Sequence, residues 1–204
     1  MFILYAVVVG LVLGVALRGS PGRLAELRFR WAPLIVLGTL IQVALFSDPV
    51  AAAVGRVGPV IYVGSTALVL LAVVRNLRIR GLWIVAVGAA SNLAAIVANG
   101  GFMPTTAAAL GAHSGGHGGQ YSNSVIAPNP VLAPLTDIFA MPAWMPAGNV
   151  FSVGDVLIGI GIAVVIVVRM RQRPVVDVHD RLVRFAPLVG RPGPGSPEGP
   201  VTPY

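Results

Sequence analysis

The stretch RNLRIRGLWIVAVGAASNLAAIVANGGFMP, residues 75–104, contains the pattern that decides the fold. Three arginines come first, a run without any charged residue follows from position 81 to 98, and a Gly-Gly pair ends it. The run is apolar on every side, whereas a surface helix of a soluble protein has a polar face that recurs every 3.6 residues. About 20 apolar residues form a helix that crosses a bilayer. The stretch therefore predicts a transmembrane helix with arginines at one end.

Four further apolar stretches extend this prediction to a bundle. The five expected spans cover residues 2–17, 31–47, 57–74, 81–98 and 150–168. Over the whole chain 56% of the residues are hydrophobic and 10% are charged, whereas soluble domains have about 25% charged residues. A surface with so few charges requires lipid as its solvent. We predict an all-α fold, a polytopic transmembrane bundle formed by residues 1–173 in the cell membrane.

The arginines predict the orientation of this bundle. All 14 basic residues are arginines, and 13 of them fall in the first connection, the third connection or the C-terminal tail. Those segments share one side of a five-span bundle, and the positive-inside rule assigns that side to the cytoplasm. The N-terminus is therefore expected outside and the C-terminus inside. The arginines are not gathered into one face with stacking groups, which argues against nucleic-acid binding.

The fourth connection, residues 99–149, is an outer loop far longer than the usual connection of about 4–6 residues. Its second half predicts a short interfacial helix, with Asn129 as the N-cap, Pro130 in the first turn and an apolar stripe from position 132 to 139. A shallow re-entrant segment is the alternative. Beyond it, residues 174–204 are rich in proline and glycine and predict a partly disordered cytoplasmic tail.

Two acidic residues are candidates for chemistry. Asp155 lies inside the fifth apolar stretch, where an ionisable residue is costly and often marks a site. In the alternative interpretation, Ser152 and Asp155 are first-turn residues of a helix that begins there. Asp137 is the only acid of the outer loop. Two close carboxylates could bind a cation or act as acid and base, although Asp137 could equally supply the polar face of an interfacial helix.

Amides and small residues predict how the bundle is held together. Gln42 and Asn92 lie inside spans, where amides more often join helices than bind ligands. Asn99 and Asn149 bracket the outer loop, and both interpretations stay open for them. Glycines at positions 10 and 14 of the first span and at 154, 159 and 161 near the fifth predict close packing of these two helices.

No cofactor and no metal site is predicted. The chain has no cysteine, which excludes disulfides and thiolate metal sites. His113 and His117 have the spacing of a helical metal pair, but their segment HSGGHGG disfavours a helix and offers no third ligand. Nucleotide-binding and hydrolase motifs are absent from the sequence.

Four motifs together resemble a bacterial membrane-protein family that is a domain of unknown function, found in actinobacteria and in some thermophilic or anaerobic lineages. They are NGGFMP at 99–104, YSNS at 121–124, LTDIFAMP at 135–142 and NVFSVGDVLI at 149–158. The resemblance covers the chain up to about Arg173 and leaves out the tail. It implies a function at the outer leaflet, and it has no assigned activity to transfer.

The predicted function is a binding or accessory protein at the outer leaflet that recognises a lipid, a small ligand or another membrane protein, rather than an enzyme. One alternative is a small channel or transporter that uses Asp155. A second is a membrane-embedded enzyme on a lipid-linked substrate, with Asp137 and Asp155 as acid and base. The candidate outer-face site comprises Asp155, Asp137, Asn99, Asn149, Tyr121, Ser122 and Asn123.

Overall fold

A computed structural model describes residues 2–106, 109, 124–142, 144–145 and 150–172. The chain divides into two units, Met1–Gln172 and Arg173–Tyr204, and the second unit, with the predicted tail, lies outside the described residues. The first unit is mainly helical. Its helices are α1 (Phe2–Ala16), α2 (Ala32–Leu45), α3 (Asp48–Val54), α4 (Gly58–Val74), α5 (Leu82–Ala98) and α6 (Val153–Arg171). Its short strands are β1 (Met103–Thr105), β2 (Ser124–Ile126), β3 (Phe139–Ala140) and β4 (Val150–Phe151).

Helices α1, α2, α4, α5 and α6 lie at the five predicted apolar stretches. Within the described residues, two helical segments are long and apolar enough to cross a membrane, namely Pro49–Val74 and Val153–Arg171. The first of them contains α3, a 3₁₀ turn at Gly55–Val57 and α4, with a break in the helical conformation at Gly55, whose φ is +48°, whereas the sequence predicted only a connection before position 57. The remaining three apolar helices are shorter, with 10–17 residues each.

The helices pack in the order α2, α4, α5, α6, α1, so that α6 lies between α5 and α1. Small residues allow these contacts. A Cβ added to Gly10 of α1 would lie 3.0 Å from the Cα of Ala163, and one added to Gly14 would overlap the Met170 sulfur of α6. The predicted close packing of the first and fifth apolar helices is confirmed. The helices approach closely because the two glycines have no side chain at the contact.

Amides join neighbouring helices, as predicted. Gln42 Nε2 of α2 donates to Thr66 Oγ1 of α4 at 3.3 Å, and Asn92 of α5 hydrogen-bonds to residues at the start of α6. Hydrogen bonds of this kind stabilise helix pairs where apolar surface gives little preference between partners.

The described helices end at two opposite faces, which we call the arginine end and the loop end. At the arginine end, Asn76 forms two 2.7 Å hydrogen bonds with the backbone of Arg30, one to its carbonyl and one from its N–H. Arg23 Nη1 donates to the Met170 carbonyl at 3.1 Å, which ties the first connection to the end of α6. The arginines of this end are Arg18, Arg23, Arg28, Arg30, Arg75, Arg78, Arg80, Arg169 and Arg171.

Apolar side chains lie on both the inside and the outside of the helix array. One buried cluster, formed by Leu45, Tyr62, Ala95, Ile96 and Met103, lies near the loop end. A second one, formed by Val73, Leu82, Val85 and Val165, lies near the arginine end. Large apolar side chains are also exposed along α1, α2, α4 and α5, up to 72% for Val60. Exposed apolar patches of this kind mark contact surfaces for protein, ligand or membrane.

The predicted interfacial helix of the outer loop is wrong. Leu132 has a φ of +54°, a left-handed conformation that interrupts a helix, and only one 3₁₀ turn follows at Ala133–Leu135. Pro134 has no N–H to donate, which removes a further helical hydrogen bond. The next residues are extended instead, because the Asp137 N–H donates to the Pro104 carbonyl at 2.9 Å and β3 pairs antiparallel with β4.

Candidate functional site

A closed ring of hydrogen bonds joins Asn92, Ser152 and Asp155 at the loop end. Asn92 Nδ2 donates to Asp155 Oδ1 at 2.8 Å, and the Ser152 hydroxyl donates to Asn92 Oδ1 at 2.8 Å. The Ser152 N–H donates to Asp155 Oδ2 at 3.0 Å, and the Asp155 N–H donates to Ser152 Oγ at 3.0 Å. Both carboxylate oxygens of Asp155 therefore accept a hydrogen bond within the protein.

This ring arises from the start of α6. Ser152 is extended, with φ −105° and ψ 170°, and caps the helix that follows, while Asp155 completes a capping box. A carboxylate in the first turn also interacts favourably with the positive end of the helix dipole. The geometry is therefore that of the first-turn interpretation, extended by Asn92 into a contact between α5 and α6.

Asn99 anchors the outer loop. It lies at the C-terminus of α5, and its Nδ2 donates both to the Ala95 carbonyl and to the Val131 carbonyl at 2.8 Å. Its Oδ1 accepts from the Val131 N–H at 2.9 Å. One side chain thus replaces a strand partner for Val131, 32 residues further along the chain. These contacts give Asn99 a structural role.

Asp137 lies in a buried polar cluster with Thr105 and Thr136. Only 4% of its surface is exposed, and its neighbours Thr105 and Thr136 are each 1% exposed. The Thr105 hydroxyl donates to the Asp137 carbonyl at 2.8 Å, while β1 pairs parallel with β2. The extended backbone at Asp137 thus runs parallel to β1, through a bridge between Thr105 and Asp137, and we call β1 and the segments paired with it the cap. Asp137 is a buried element of this cap rather than the polar face of an interfacial helix.

The structure places the two candidate carboxylates in different hydrogen-bonded surroundings. Asp155 belongs to the capping ring with Asn92 and Ser152, and Asp137 belongs to the buried cluster with Thr105. Among the described residues, no group of three or more His, Cys, Asp or Glu side chains could hold a metal ion. Asn149, Tyr121, Ser122 and Asn123 lie outside the described residues, as do His113 and His117.

An apolar groove of about 250 Å³ opens at the loop end between α4 and α5. Its lining consists of Pro59, Val60, Val63, Val97, Gly100 and Gly101. Gly100 and Gly101 have φ values of +72° and +88°, which side chains rarely adopt. A Cβ at Gly101 would lie 2.5 Å from Pro59 Cβ. The two glycines therefore let the chain turn sharply against α4 and shape the groove.

Sequence reasoning missed two features of the loop and arginine ends. It did not single out Asn76, which binds the Arg30 backbone in the same two-way manner in which Asn99 binds Val131, and which also donates to the carbonyl four residues earlier. A signal was available, because both asparagines follow an apolar helix closely, Asn99 directly after α5 and Asn76 two residues after the end of α4. The groove itself had no signal, since four of its lining residues belong to apolar stretches that were interpreted only as spans, and the Gly100-Gly101 pair was interpreted only as the end of one span.

The chain is similar to a protein family without an assigned activity. A model described as a family of unknown function (DUF5317) matches residues 26–167. No curated protein matches the chain, and no solved structure does. The matched range fits the resemblance to an uncharacterised domain, while the four motifs and an actinobacterial origin stay predictions.

Proposed function

The chain belongs to the DUF5317 family of unknown function, and we propose that it is a multi-pass membrane protein that binds a lipid at the outer leaflet. In this proposal the five apolar helices α1, α2, α4, α5 and α6 cross the membrane, with the N-terminus outside and the C-terminus in the cytoplasm. The protein is a binding or accessory protein rather than an enzyme. The observation that carries the binding role is the apolar groove at the loop end, between α4 and α5.

Exposed apolar side chains and charge support the membrane placement. The exposed residues along α1, α2, α4 and α5 are mainly Val, Leu and Ile, which lipid solvates better than water. Among described residues the arginine end has one acid, Glu26, whereas the loop end has Asp48, Asp137 and Asp155 with Arg56 as its arginine. This asymmetry favours a cytoplasmic arginine end.

Tryptophans occur at both ends, as expected for interfacial anchors. Trp31 and Trp83 lie at the arginine end, Trp144 lies in the outer loop, and all three are exposed. The guanidinium of Arg75 lies 5.7 Å from the centroid of the Trp31 ring, within range of a cation–π interaction. Helices α1 and α2 have 15 and 14 residues, so the bilayer must thin beside them or flanking residues must reach the interface.

The groove suits the acyl chain of a lipid. Its lining has no polar side chain, so a polar ligand placed there would lose hydrogen bonds to water without replacement. It continues into the exposed apolar surface of α4 and α5, where lipid chains would already be in contact with the protein. Transfer from water gives little preference there, since lipid chains are as apolar as the helix surface, but a concave wall adds packing contacts that a flat helix face lacks.

Asp155 is less suited to a transport role than its position in the sequence suggested. Its two carboxylate oxygens accept hydrogen bonds from Asn92 and from the backbone of Ser152. A permeating ion or proton would have to replace contacts that also hold the start of α6 against α5. The ring therefore supports binding over a channel or transporter that uses Asp155.

Single-cysteine labelling tests the membrane placement, because the chain has no native cysteine. Ala133 and Ala25 are both exposed and both lie in 3₁₀ turns, one at each end. We expect a membrane-impermeant maleimide to label Ala133→Cys in intact cells, and to label Ala25→Cys only after permeabilisation. The reverse pattern would refute the proposed orientation, and equal labelling of both in intact cells would refute opposite sides.

Native mass spectrometry from a mild detergent tests the groove. Val97, 55% exposed, lines the groove, whereas Val43 of α2, 65% exposed, does not. We expect Val97→Trp to lower the occupancy of a copurified lipid by up to about tenfold where the lipid is not saturating, because an indole fills the groove and removes about 1.4 kcal/mol of packing contacts with the acyl chain. Val43→Trp should leave the occupancy unchanged. Equal lipid occupancy in both variants would contradict binding in the groove.

A further inference from the structure

We infer that the arginine end contains a binding site for the phosphate group of an anionic phospholipid, formed by Arg78, Arg80 and Arg169. These arginines line a cavity of about 410 Å³. The site is separate from the outer-leaflet groove, since it lies at the opposite end of the helices. It rests on the proposed membrane placement only for the source of its ligand.

Three segments that are distant in sequence converge on this cavity. Arg78 and Arg80 come from the connection between α4 and α5, and Arg169 comes from the last turn of α6. Leu27, from the connection between α1 and α2, closes a third side. Like charges repel one another, so three arginines around one cavity indicate that an anion belongs between them.

The two Nη atoms of Arg169 form hydrogen bonds within the protein, whereas its Nε forms none among the described residues. Its Nη2 donates to the Glu26 carbonyl at 3.2 Å and lies 3.7 Å from Glu26 Oε2. Its Nη1 donates to Gln172 Oε1 at 2.5 Å. Its Nε is buried and has no hydrogen-bond partner among the described residues. A buried donor without a partner is costly, so the position of this guanidinium is set by its Nη contacts and by the cavity wall rather than by its Nε.

Arg78 and Arg80 supply the remaining charge. Both are exposed, and within the described part of the chain the ion pair of this region joins Arg169 to Glu26. Glu26 is itself 69% exposed, so solvent weakens its neutralising effect. Helix α5 begins at Leu82, two residues after Arg80, and its positive dipole end therefore adds to the field.

The walls of the cavity favour a phospholipid over free phosphate. Leu27, Val165 and Val168 give it an apolar side next to the arginines. A phosphate with an attached glycerol and acyl chain satisfies both surfaces, whereas inorganic phosphate satisfies only the charged one. Guanidinium groups bind phosphate oxygens through paired hydrogen bonds, which explains the use of arginine at this position.

Binding of phosphatidylglycerol in neutral detergent micelles tests the inference, with phosphatidylcholine and inorganic phosphate as comparison probes. We expect the full-length protein to bind phosphatidylglycerol, and the double variant Arg78→Gln/Arg80→Gln to bind it at least about tenfold more weakly. The control double variant Arg18→Gln/Arg30→Gln removes the same charge at the same end but outside the cavity lining. It should retain most of the wild-type affinity.

Each outcome bears on the site in a defined way. Equal weakening in both double variants would overturn the site, because net charge alone would then explain binding. Variant-sensitive binding of inorganic phosphate without binding of phosphatidylglycerol would overturn the lipid assignment. The result can be told apart from binding in the groove, because the groove would contact an acyl chain that both phospholipids share, so Val97→Trp should leave the preference for phosphatidylglycerol over phosphatidylcholine unchanged. It is also independent of the topology, because micelles impose no sidedness.

Discussion

Replacing Asn92 by aspartate should lower the thermal unfolding midpoint by about 4–16 °C, the largest effect that we expect from a single polar substitution. The change removes the donor to Asp155 Oδ1 and places two carboxylates at hydrogen-bonding distance. Loss of a hydrogen bond to a charged group, with like-charge repulsion added, costs about 2–4 kcal/mol. For a chain of this size that corresponds to the stated shift. Tryptophan fluorescence during heating in mild detergent measures it.

The double variant Asn92→Asp/Asp155→Asn is the decisive control, because it exchanges the two groups and keeps the ring. The amide introduced at position 155 can accept from the Ser152 N–H and donate to the carboxylate introduced at position 92. That carboxylate can also accept from the Ser152 hydroxyl, as Asn92 does. We expect the exchange to recover most of the stability lost by Asn92→Asp. A double variant as unstable as the sum of the single variants would contradict the ring.

The same exchange separates a structural Asp155 from a functional one. If the carboxylate serves only to cap α6 and to bind α5, any activity lost in Asp155→Asn should return together with stability in the exchanged variant. A transport or catalytic role would need the charge at position 155 itself, and activity would stay lost although the fold recovers. The two interpretations that the sequence left open for Asp155 thus make opposite predictions.

The positions of the long helices could be predicted from sequence because their signal is local. Uniform apolarity over 14–19 residues identifies α1, α2, α4, α5 and α6 without knowledge of their neighbours. The close approach of α1 and α6 was also predictable, since Gly10 and Gly14 have few roles in an apolar helix other than allowing a close approach.

The outer loop could not be predicted in the same way. The apolar stripe from position 132 to 139 fits a helix as well as it fits short extended segments, and tertiary contacts decide between the two. The Asp137 N–H finds its partner at Pro104, and Asn99 finds its partner at Val131. Pairings across more than 30 residues leave no trace in local periodicity, whereas Pro134 and the left-handed Leu132 remove the helical alternative.

The arginines show that the distribution of a residue type along the chain leaves its contacts undetermined. Their distribution predicted an orientation, and this prediction used only the connections in which the arginines occur. Which arginines meet is a different matter, because Arg78 and Arg169 are 91 residues apart in sequence and come together only when α5 packs on α6. Asp155 and Asn92 are a comparable case, since the capping box was visible locally and its partner on α5 was not.

Replacing Gly88 by alanine should destabilise the protein by about 2–3 kcal/mol, and it tests whether α5 and α6 pack by direct backbone contact. A Cβ at this position would lie 2.5 Å from the Gly154 carbonyl oxygen and 2.9 Å from the Ile158 nitrogen. These are backbone atoms of α6, so no side-chain rotation relieves the overlap and the helices must move apart. The capping ring of Asn92, one turn further along α5, would be stretched by the same movement.

Gly64→Ala is the matched control, because Gly64 also lies in the middle of a helix but a Cβ there would meet nothing within 4 Å. Alanine forms helices better than glycine by about 0.8–1.0 kcal/mol, so Gly64→Ala should be neutral or stabilising. The two substitutions are chemically identical, and only the distance to a neighbouring backbone differs between them. Opposite shifts of the unfolding midpoint would therefore assign the loss at Gly88 to the α5–α6 contact, and a shared gain would show that the two helices are further apart than described.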